Sequence, residues 1–204
     1  MLANPHISPD SKINKGNCDS VRCILFDLDG TLIDSLPDLR QSLNFIRYHF
    51  HLPPLAGDQV QSFVGDGVWM LVERSLPHLD TEARKEGYDL FRCHYYQHCT
   101  DYSRLYPDCR QTLKTLKAMQ KKIGVVTNKP DLPSQRILEA FKLTPFIDLL
   151  LGGDKALEKK PSPLPIRQIL EILDCPPEEA LMVGDSANDM DAAKRTIAGT
   201  ARSM

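Results

Sequence analysis

The sequence lacks the features that mark several large classes of protein. No stretch approaches the ~18 consecutive apolar residues of a membrane-spanning helix, and no internal repeat is evident. The formal net charge of −2 and the pI near 6.3 provide no overall basic field, so neither nucleic acid nor a membrane is expected as a partner. The six cysteines include no CxxC pair, which predicts reduced thiols and a cytoplasmic protein.

The composition that remains is that of a globular protein. A chain of 204 residues, 42% of them hydrophobic, is long enough for one domain of ordinary size plus an insert. Residues 1–20 are rich in Asn, Ser, Asp and Pro and contain no apolar core. This segment is therefore predicted to be a disordered extension rather than a secretion signal or a membrane anchor.

An apolar segment that ends in two aspartates organises the rest of the chain. Residues 21–26, broken only by Arg22, predict a buried parallel strand. Asp27 and Asp29 follow two positions apart, so both would point the same way from the carboxyl end of a sheet. Carboxylates this close repel unless a cation such as Mg²⁺ lies between them; with the metal, one can attack phosphorus and the other can transfer protons. Taken alone, the residues are equally consistent with a plain turn at Asp29-Gly30.

Helical periodicity replaces the strand pattern between residues 36 and 104. Apolar residues recur three and four positions apart on both sides of the loop 64–67, Val-Gly-Asp-Gly, and another helical run covers about 82–99. We interpret 36–104 as an inserted helical domain and 21–35 with 105–204 as the core domain. The loop fits a helix–helix turn and a substrate contact equally well, since close backbone approach needs glycine. His94 and His98 share a helix face, but Cys99 lies well round the helix, so ordinary surface and core histidines are favoured over zinc ligands.

Three further strands are predicted after the insert, and polar residues follow each of them. The strands are residues 122–127, 147–151 and 180–184. At the end of the first, the Thr127 hydroxyl and the backbone amides around Asn128 could hold phosphoryl oxygens. After the second, a lysine before Pro161 could place a charge on a phosphate and on a nucleophilic carboxylate, although Lys159-Lys160 also fits a solvated loop. Asp185 and Asp189 follow the third, where acidic residues also favour a helix N-terminus.

Four short motifs resemble those of the haloacid dehalogenase superfamily and follow one another in the same order. Phe-Asp-Leu-Asp-Gly-Thr-Leu-Ile-Asp-Ser is similar to the first motif, Thr127 occupies the second, Lys160-Pro161 the third, and Gly-Asp-Ser-Ala-Asn-Asp the fourth. The resemblance implies an α/β fold, with a Rossmann-like parallel-sheet core and an inserted α-helical cap. Superfamily members that cleave other bonds lack the second aspartate, so Asp29 implies phosphate esters as substrates.

The resemblance also implies a role for each motif residue. Asp27 would be the nucleophile and Asp29 the general acid/base. Mg²⁺ would be held by Asp27, by the backbone carbonyl of Asp29 and by Asp185, while Asp189 would orient the site or bind the metal through water. Substrate would be bound by three residues: Thr127, Asn128 and Lys160.

Further segments narrow the resemblance to bacterial phosphoglycolate phosphatases. These are Val-Gly-Asp-Gly-Val, Gly-Val-Val-Thr-Asn-Lys-Pro, Gly-Gly-Asp and Ala-Leu-Met-Val-Gly-Asp-Ser. The implied reaction is hydrolysis of 2-phosphoglycolate to glycolate and phosphate through an aspartyl-phosphate intermediate. Two alternatives stay open: a phosphatase or mutase acting on another small metabolite such as a sugar phosphate, and a non-catalytic phosphate-binding relative.

The last residues lead to a separate expectation about the sheet. Members of the superfamily continue after the fourth motif with at least one more strand, whereas residues 195–204 have no strand-like pattern. We therefore expect the C-terminal strand of the core to be missing and the strand 180–184 to present an unpaired edge. Such edges recruit other chains, so reduced stability and self-association are expected, with the oligomeric state otherwise open.

Overall fold

The computed structural model of the protein describes residues 20–200, with side chains up to residue 197. The strands are β1 (Cys23–Phe26), β2 (Ile33–Asp34), β3 (Arg104–Leu105), β4 (Lys122–Val126), β5 (Leu149–Leu151) and β6 (Ala180–Val183). The helices are α1 (Leu36–His49), α2 (Gly57–Gln61), α3 (Val68–Ser75), α4 (Thr81–His98), α5 (Cys109–Ala118), α6 (Asp131–Ala140), α7 (Leu164–Ile172) and α8 (Ala187–Thr200). Apart from Ser20, the predicted disordered extension lies outside the described residues. Within residues 20–200, no helix is long and apolar enough to cross a membrane.

A four-stranded parallel sheet in the order β5-β4-β1-β6 forms the centre of the fold. Because neighbouring side chains of a strand point to opposite faces, β1 contributes to two hydrophobic clusters. Ile24 and Phe26 join one cluster, and Cys23 and Leu25 join the other. Burial on both faces explains why this strand reads as an uninterrupted apolar run, and the predicted α/β fold with a parallel sheet is confirmed.

Helices α1 to α4 lie in the chain between β2 and β3, which pair with each other in an antiparallel ladder. Leu39, Leu43 and Ile46 of α1 are buried, as their spacing predicts for the inward face of a helix. The main packing partner of α1 is α4, which also contacts α3. The segment between β2 and β3 is therefore helical, and it leaves and rejoins the core at one two-stranded ribbon.

Strand β6 lies at one edge of the sheet. Among the described strands it pairs only with β1, and Leu181 is 48% exposed. Association of this edge with another chain stays a prediction.

Candidate active site

The carboxyl ends of β1, β4 and β6 open into a cavity of about 350 Å³. It lies between the sheet and the helical segment, whose loop 64–67 and helix α4 also contribute to its wall. Six of the seven residues given a role from the sequence line this cavity: Asp27, Asp29, Thr127, Asn128, Lys160 and Asp185. The seventh, Asp189, is fully buried and does not line it. Because parallel strands end at the same edge of the sheet, residues far apart in the chain meet here.

Asp27 follows β1 directly, and its backbone N–H donates to the Val183 carbonyl at 2.9 Å. Burial, together with the nearby charges of Asp189 and Asp29, raises the pKa of the Asp27 carboxyl to about 6, although Lys160 acts in the opposite direction. The carboxylate of Asp27 is thus held in an environment that disfavours its charge. A cation placed beside it would relieve this cost.

Lys160 is a buried cation at the floor of the cavity. Its ammonium lies 3.0 Å from Asp27 Oδ1 and 2.5 Å from Asp189 Oδ1, and it donates to the Val126 carbonyl at 2.7 Å. The other oxygen of Asp189 accepts from the backbone N–H and the hydroxyl of Ser186. These contacts leave Asp189 engaged with protein groups and hold Lys160 beside Asp27, whereas Lys159 is exposed.

A group of carboxylates suitable for a divalent cation lies next to Lys160. Ligand oxygens of Asp27, Asp185 and Asp189 all lie within 4.8 Å of one another. Asp27 Oδ1 is buried and accepts no hydrogen bond, because its approach to Lys160 is close but lacks hydrogen-bond geometry. A buried oxygen without a donor and a set of hard oxygen ligands fit a Mg²⁺-like ion.

Gly30 allows Asp185 to approach this group. Its φ is +79°, and a Cβ at this position would lie 2.3 Å from Asp185 Oδ2. The Thr31 hydroxyl donates to Asp185 Oδ1 at 3.0 Å. The glycine of the first motif therefore provides both the left-handed backbone and the space that this carboxylate occupies.

Asn128 connects the core to the glycine-rich loop. Its side-chain amide donates to the Gly65 carbonyl at 2.8 Å and to the Lys160 carbonyl at 2.9 Å, and its oxygen accepts from the Lys160 N–H. The Asn188 amide donates to Asp66 Oδ1 at 2.9 Å. The loop 64–67 thus both joins α2 to α3 and covers the site, while Asn128 uses its side chain for protein contacts and leaves its backbone amide as the predicted substrate contact.

The sequence interpretation missed the surroundings of Asp29. Both oxygens of this carboxylate lie 3.0 Å from the Lys129 ammonium, and Ser35 Oγ donates to Oδ1 at 2.5 Å. Lys129 also donates to the hydroxyl of Tyr95, whose pKa is raised well above its usual value by burial. The polar run Thr127-Asn128-Lys129 contained a signal for the lysine, but nothing local in the sequence pointed to Tyr95.

The histidines of α4 have other partners. His94 Nδ1 lies 3.0 Å from Ser42 Oγ, and its ring stacks on Phe45. His98 pairs with Asp101. Among the described residues, the cluster of potential metal ligands is made of carboxylates and includes neither histidine.

The sequence and the fold are both similar to those of known proteins. The family model described as haloacid dehalogenase-like hydrolase matches residues 24–202. A phosphoglycolate phosphatase from Aquifex aeolicus is 41% identical over 184 residues, covering 90% of this chain and 85% of that protein. One from Chromobacterium violaceum is 39% identical over 183 residues, covering 87% and 82%. The crystal structure of a predicted phosphoglycolate phosphatase from Haemophilus somnus is similar with a TM-score of 0.84 and 35% identity, covering 87% of this chain and 82% of that one.

Proposed function

The chain belongs to the haloacid dehalogenase-like hydrolase family, and on that premise we propose that it is a Mg²⁺-dependent phosphatase that converts 2-phosphoglycolate to glycolate and phosphate. The observation that carries this proposal is the buried oxygen of Asp27 that accepts no hydrogen bond and lies beside both Lys160 and the Asp185 carboxylate. The names of the relatives in Aquifex aeolicus and Chromobacterium violaceum support the choice of substrate.

In the proposed reaction, a carboxylate oxygen of Asp27 attacks phosphorus and forms an aspartyl phosphate, while the bond from phosphorus to the glycolate oxygen breaks. Asp29 gives its proton to that leaving oxygen and then takes a proton from the water that hydrolyses the intermediate. Lys160 and the Thr127 hydroxyl hold the phosphoryl oxygens, as does the backbone amide of Asn128. The charge of Lys160 also reduces the repulsion between the phosphate and the Asp27 carboxylate.

Mg²⁺ fits the donor set, with Asp27, Asp185 and the backbone carbonyl of Asp29 as its ligands. When bound, it supplies charge neutralisation at the nucleophile and the phosphoryl group. Asp189 contributes indirectly, because its carboxylate holds the ammonium of Lys160 at 2.5 Å.

The remaining assignments follow from the same proposal. We assign residues 36–104 as the cap, with 21–35 and 105–204 as the core. A cavity of about 350 Å³ matches a small phosphorylated metabolite, with no nucleic acid or membrane as a partner. The cytoplasmic location stays a prediction from the cysteine content, and the oligomeric state stays open.

Initial rates of phosphate release across a panel of phosphate esters test the substrate. The panel contains 2-phosphoglycolate, hexose phosphates and other small phosphate monoesters, each measured with Mg²⁺ and with a chelator in its place. We expect the highest kcat/KM for 2-phosphoglycolate and loss of activity with the chelator. A preference for a hexose phosphate would overturn the choice of substrate, and binding of phosphate without turnover would overturn the enzymatic function.

A further inference from the structure

The Asp29 carboxylate is held by a buried cation that none of the four motif roles uses. We propose that Lys129, itself held by Tyr95 from helix α4, is the positioning residue that aims Asp29 at the leaving oxygen of the substrate. This inference rests on the proposed function, because it concerns the general acid/base of that reaction.

The contacts of Lys129 leave its ammonium no freedom to turn. It lies 3.0 Å from each oxygen of Asp29 and 2.6 Å from the Tyr95 hydroxyl. The Lys129 side chain is 4% exposed and that of Asp29 15% exposed. Because the lysine contacts both oxygens of one carboxylate, and Ser35 donates to one of them, rotation of the carboxylate about its last bond would break at least one contact.

The hydrogen count favours positioning over direct substrate binding. A lysine ammonium has three donor hydrogens, and Lys129 has three acceptors: two oxygens of Asp29 and the hydroxyl of Tyr95. No donor is left for a phosphate or a substrate carboxylate. Lys160 differs, because its hydrogen bonds to the Val126 carbonyl and to Asp189 use two of its three donor hydrogens, and its contact with Asp27 Oδ1 is not a hydrogen bond.

Tyr95 extends this arrangement into the helical segment. It is fully buried in α4, and besides the hydrogen bond its ring centroid lies 4.6 Å from the Lys129 ammonium. The cation is thus fixed from the side of the helices, while the carboxylate it holds belongs to the core. Placement of the general acid consequently depends on contact between the two parts of the chain.

Dependence on the leaving group tests this role. A p-nitrophenolate leaves readily without a proton, whereas glycolate needs proton transfer from Asp29. For Lys129→Met we expect kcat for 2-phosphoglycolate to fall about 100-fold or more, the lower range for loss of general acid–base catalysis. We expect p-nitrophenyl phosphate turnover to fall much less and both KM values to change little. Tyr95→Phe keeps the ion pair and the ring but removes one hydrogen bond to a charged group. We therefore expect its kcat for 2-phosphoglycolate to fall about tenfold, again with a smaller effect on p-nitrophenyl phosphate.

Two comparisons separate positioning from damage to the fold. Lys114→Met makes the same replacement at an exposed site and should match the wild type for both esters, and thermal melting checks the folding of every variant. In an Asp29→Asn background, Lys129→Met should cause little further loss, because the group it positions is already inactive.

Three outcomes would overturn the inference. Equal losses of kcat for both esters in both variants would mean that Lys129 and Tyr95 support the site in general and not the proton transfer by Asp29. A raised KM for 2-phosphoglycolate with an unchanged kcat would make Lys129 a substrate contact. If the wild type hydrolyses neither ester, the proposed function fails, and the positioning role fails with it. If the wild type is active but Lys129→Met loses the same activity toward both esters, only the positioning role fails.

Discussion

Replacing Lys160 with methionine should destabilise the protein strongly at neutral pH. The change keeps most of the side-chain volume but removes a buried charge that lies 2.5 Å from Asp189 and 3.0 Å from Asp27. The side chain of Asp189 is 0% exposed and that of Asp27 13% exposed, so both carboxylates would be left buried without this cation. Breaking a buried ion pair from one side typically costs about 3–5 kcal/mol.

The lower end of that range applies here, because Ser186 continues to donate two hydrogen bonds to Asp189. A domain of this size typically shifts its Tm by about 2–4 °C per kcal/mol, so a loss of about 3 kcal/mol predicts a decrease of about 6–12 °C. Typical total stabilities of about 5–15 kcal/mol mean that the variant should still fold.

The effect should depend on pH in a defined direction. In the wild type, Lys160 lowers the pKa of Asp27 against the effect of burial; without it, the pKa of Asp27 should rise above about 6. A carboxyl whose folded pKa is raised loses stability as the pH rises from its unfolded pKa to its folded pKa, and the loss is constant above the folded value. Wild type and variant therefore lose stability together up to about pH 6, and only the variant continues to lose it above that pH. The difference between variant and wild type should therefore be largest near pH 8 and smaller at pH 5.

Thermal and urea unfolding of metal-free protein at these two pH values measures the effect. Lys159→Met is the matched control, since it removes the neighbouring lysine, which is exposed, and should melt like the wild type. An unchanged Tm for Lys160→Met at pH 8, or an equal loss in the Lys159→Met control, would refute the reasoning.

Three further changes probe the same site and its support. Gly30→Ala should weaken Mg²⁺ binding in a calorimetric titration, because the new Cβ would overlap Asp185 Oδ2 at 2.3 Å and the φ of +79° is strained for alanine; wild-type affinity would contradict this. Burial raises the pKa of Asp27 from 3.8 to about 6. The free energy of unfolding of the metal-free wild type should therefore fall by about 3 kcal/mol relative to that of Asp27→Asn as the pH rises from about 4 to above 6. Parallel pH profiles of unfolding for the two proteins would contradict this. Asp38→Ala should lower the free energy of unfolding by about 3 kcal/mol or more, because the buried carboxylate accepts three hydrogen bonds, two of them from Ser103; a urea midpoint equal to that of the wild type would argue against it.

The carboxylates at the carboxyl end of the sheet could be predicted from the sequence, because each follows an apolar strand within a few residues. Asp27 and Asp29 stand two residues apart after an apolar run, and Asp185 directly follows another strand and a glycine. Parallel strands bring their carboxyl ends to one edge whatever the order of the strands. Strand ends and polar residues were therefore enough to place these side chains together.

The contacts between the helical segment and the core could not be predicted in this way. Lys129 and Tyr95 are 34 positions apart, and Asn128 and Gly65 are 63 apart. These pairs depend on how the helices sit over the sheet, which hydrophobic periodicity does not specify. The periodicity identified the buried face of each helix but not the residue that its polar positions would meet.

The predicted start of one strand was wrong for a different reason. The strand predicted at residues 147–151 begins only at Leu149, because Asp148 contacts the neighbouring strand β4 partly through its side chain. Its carboxylate accepts from the Ile123 N–H at 2.7 Å, a bond that a backbone carbonyl would otherwise provide. An aspartate inside an apolar run can thus replace part of the ladder and shorten the strand.

The most direct test of the proposed activity is the rate of phosphate release from 2-phosphoglycolate by the wild type and by Asp27→Asn, measured with Mg²⁺ at the same protein concentration. The amide is nearly the same size as the carboxylate but cannot form the aspartyl phosphate, so the account predicts turnover by the wild type and none above background by a folded Asp27→Asn. Activity of Asp27→Asn close to that of the wild type would contradict the assignment of Asp27 as the nucleophile and, with it, the proposed mechanism.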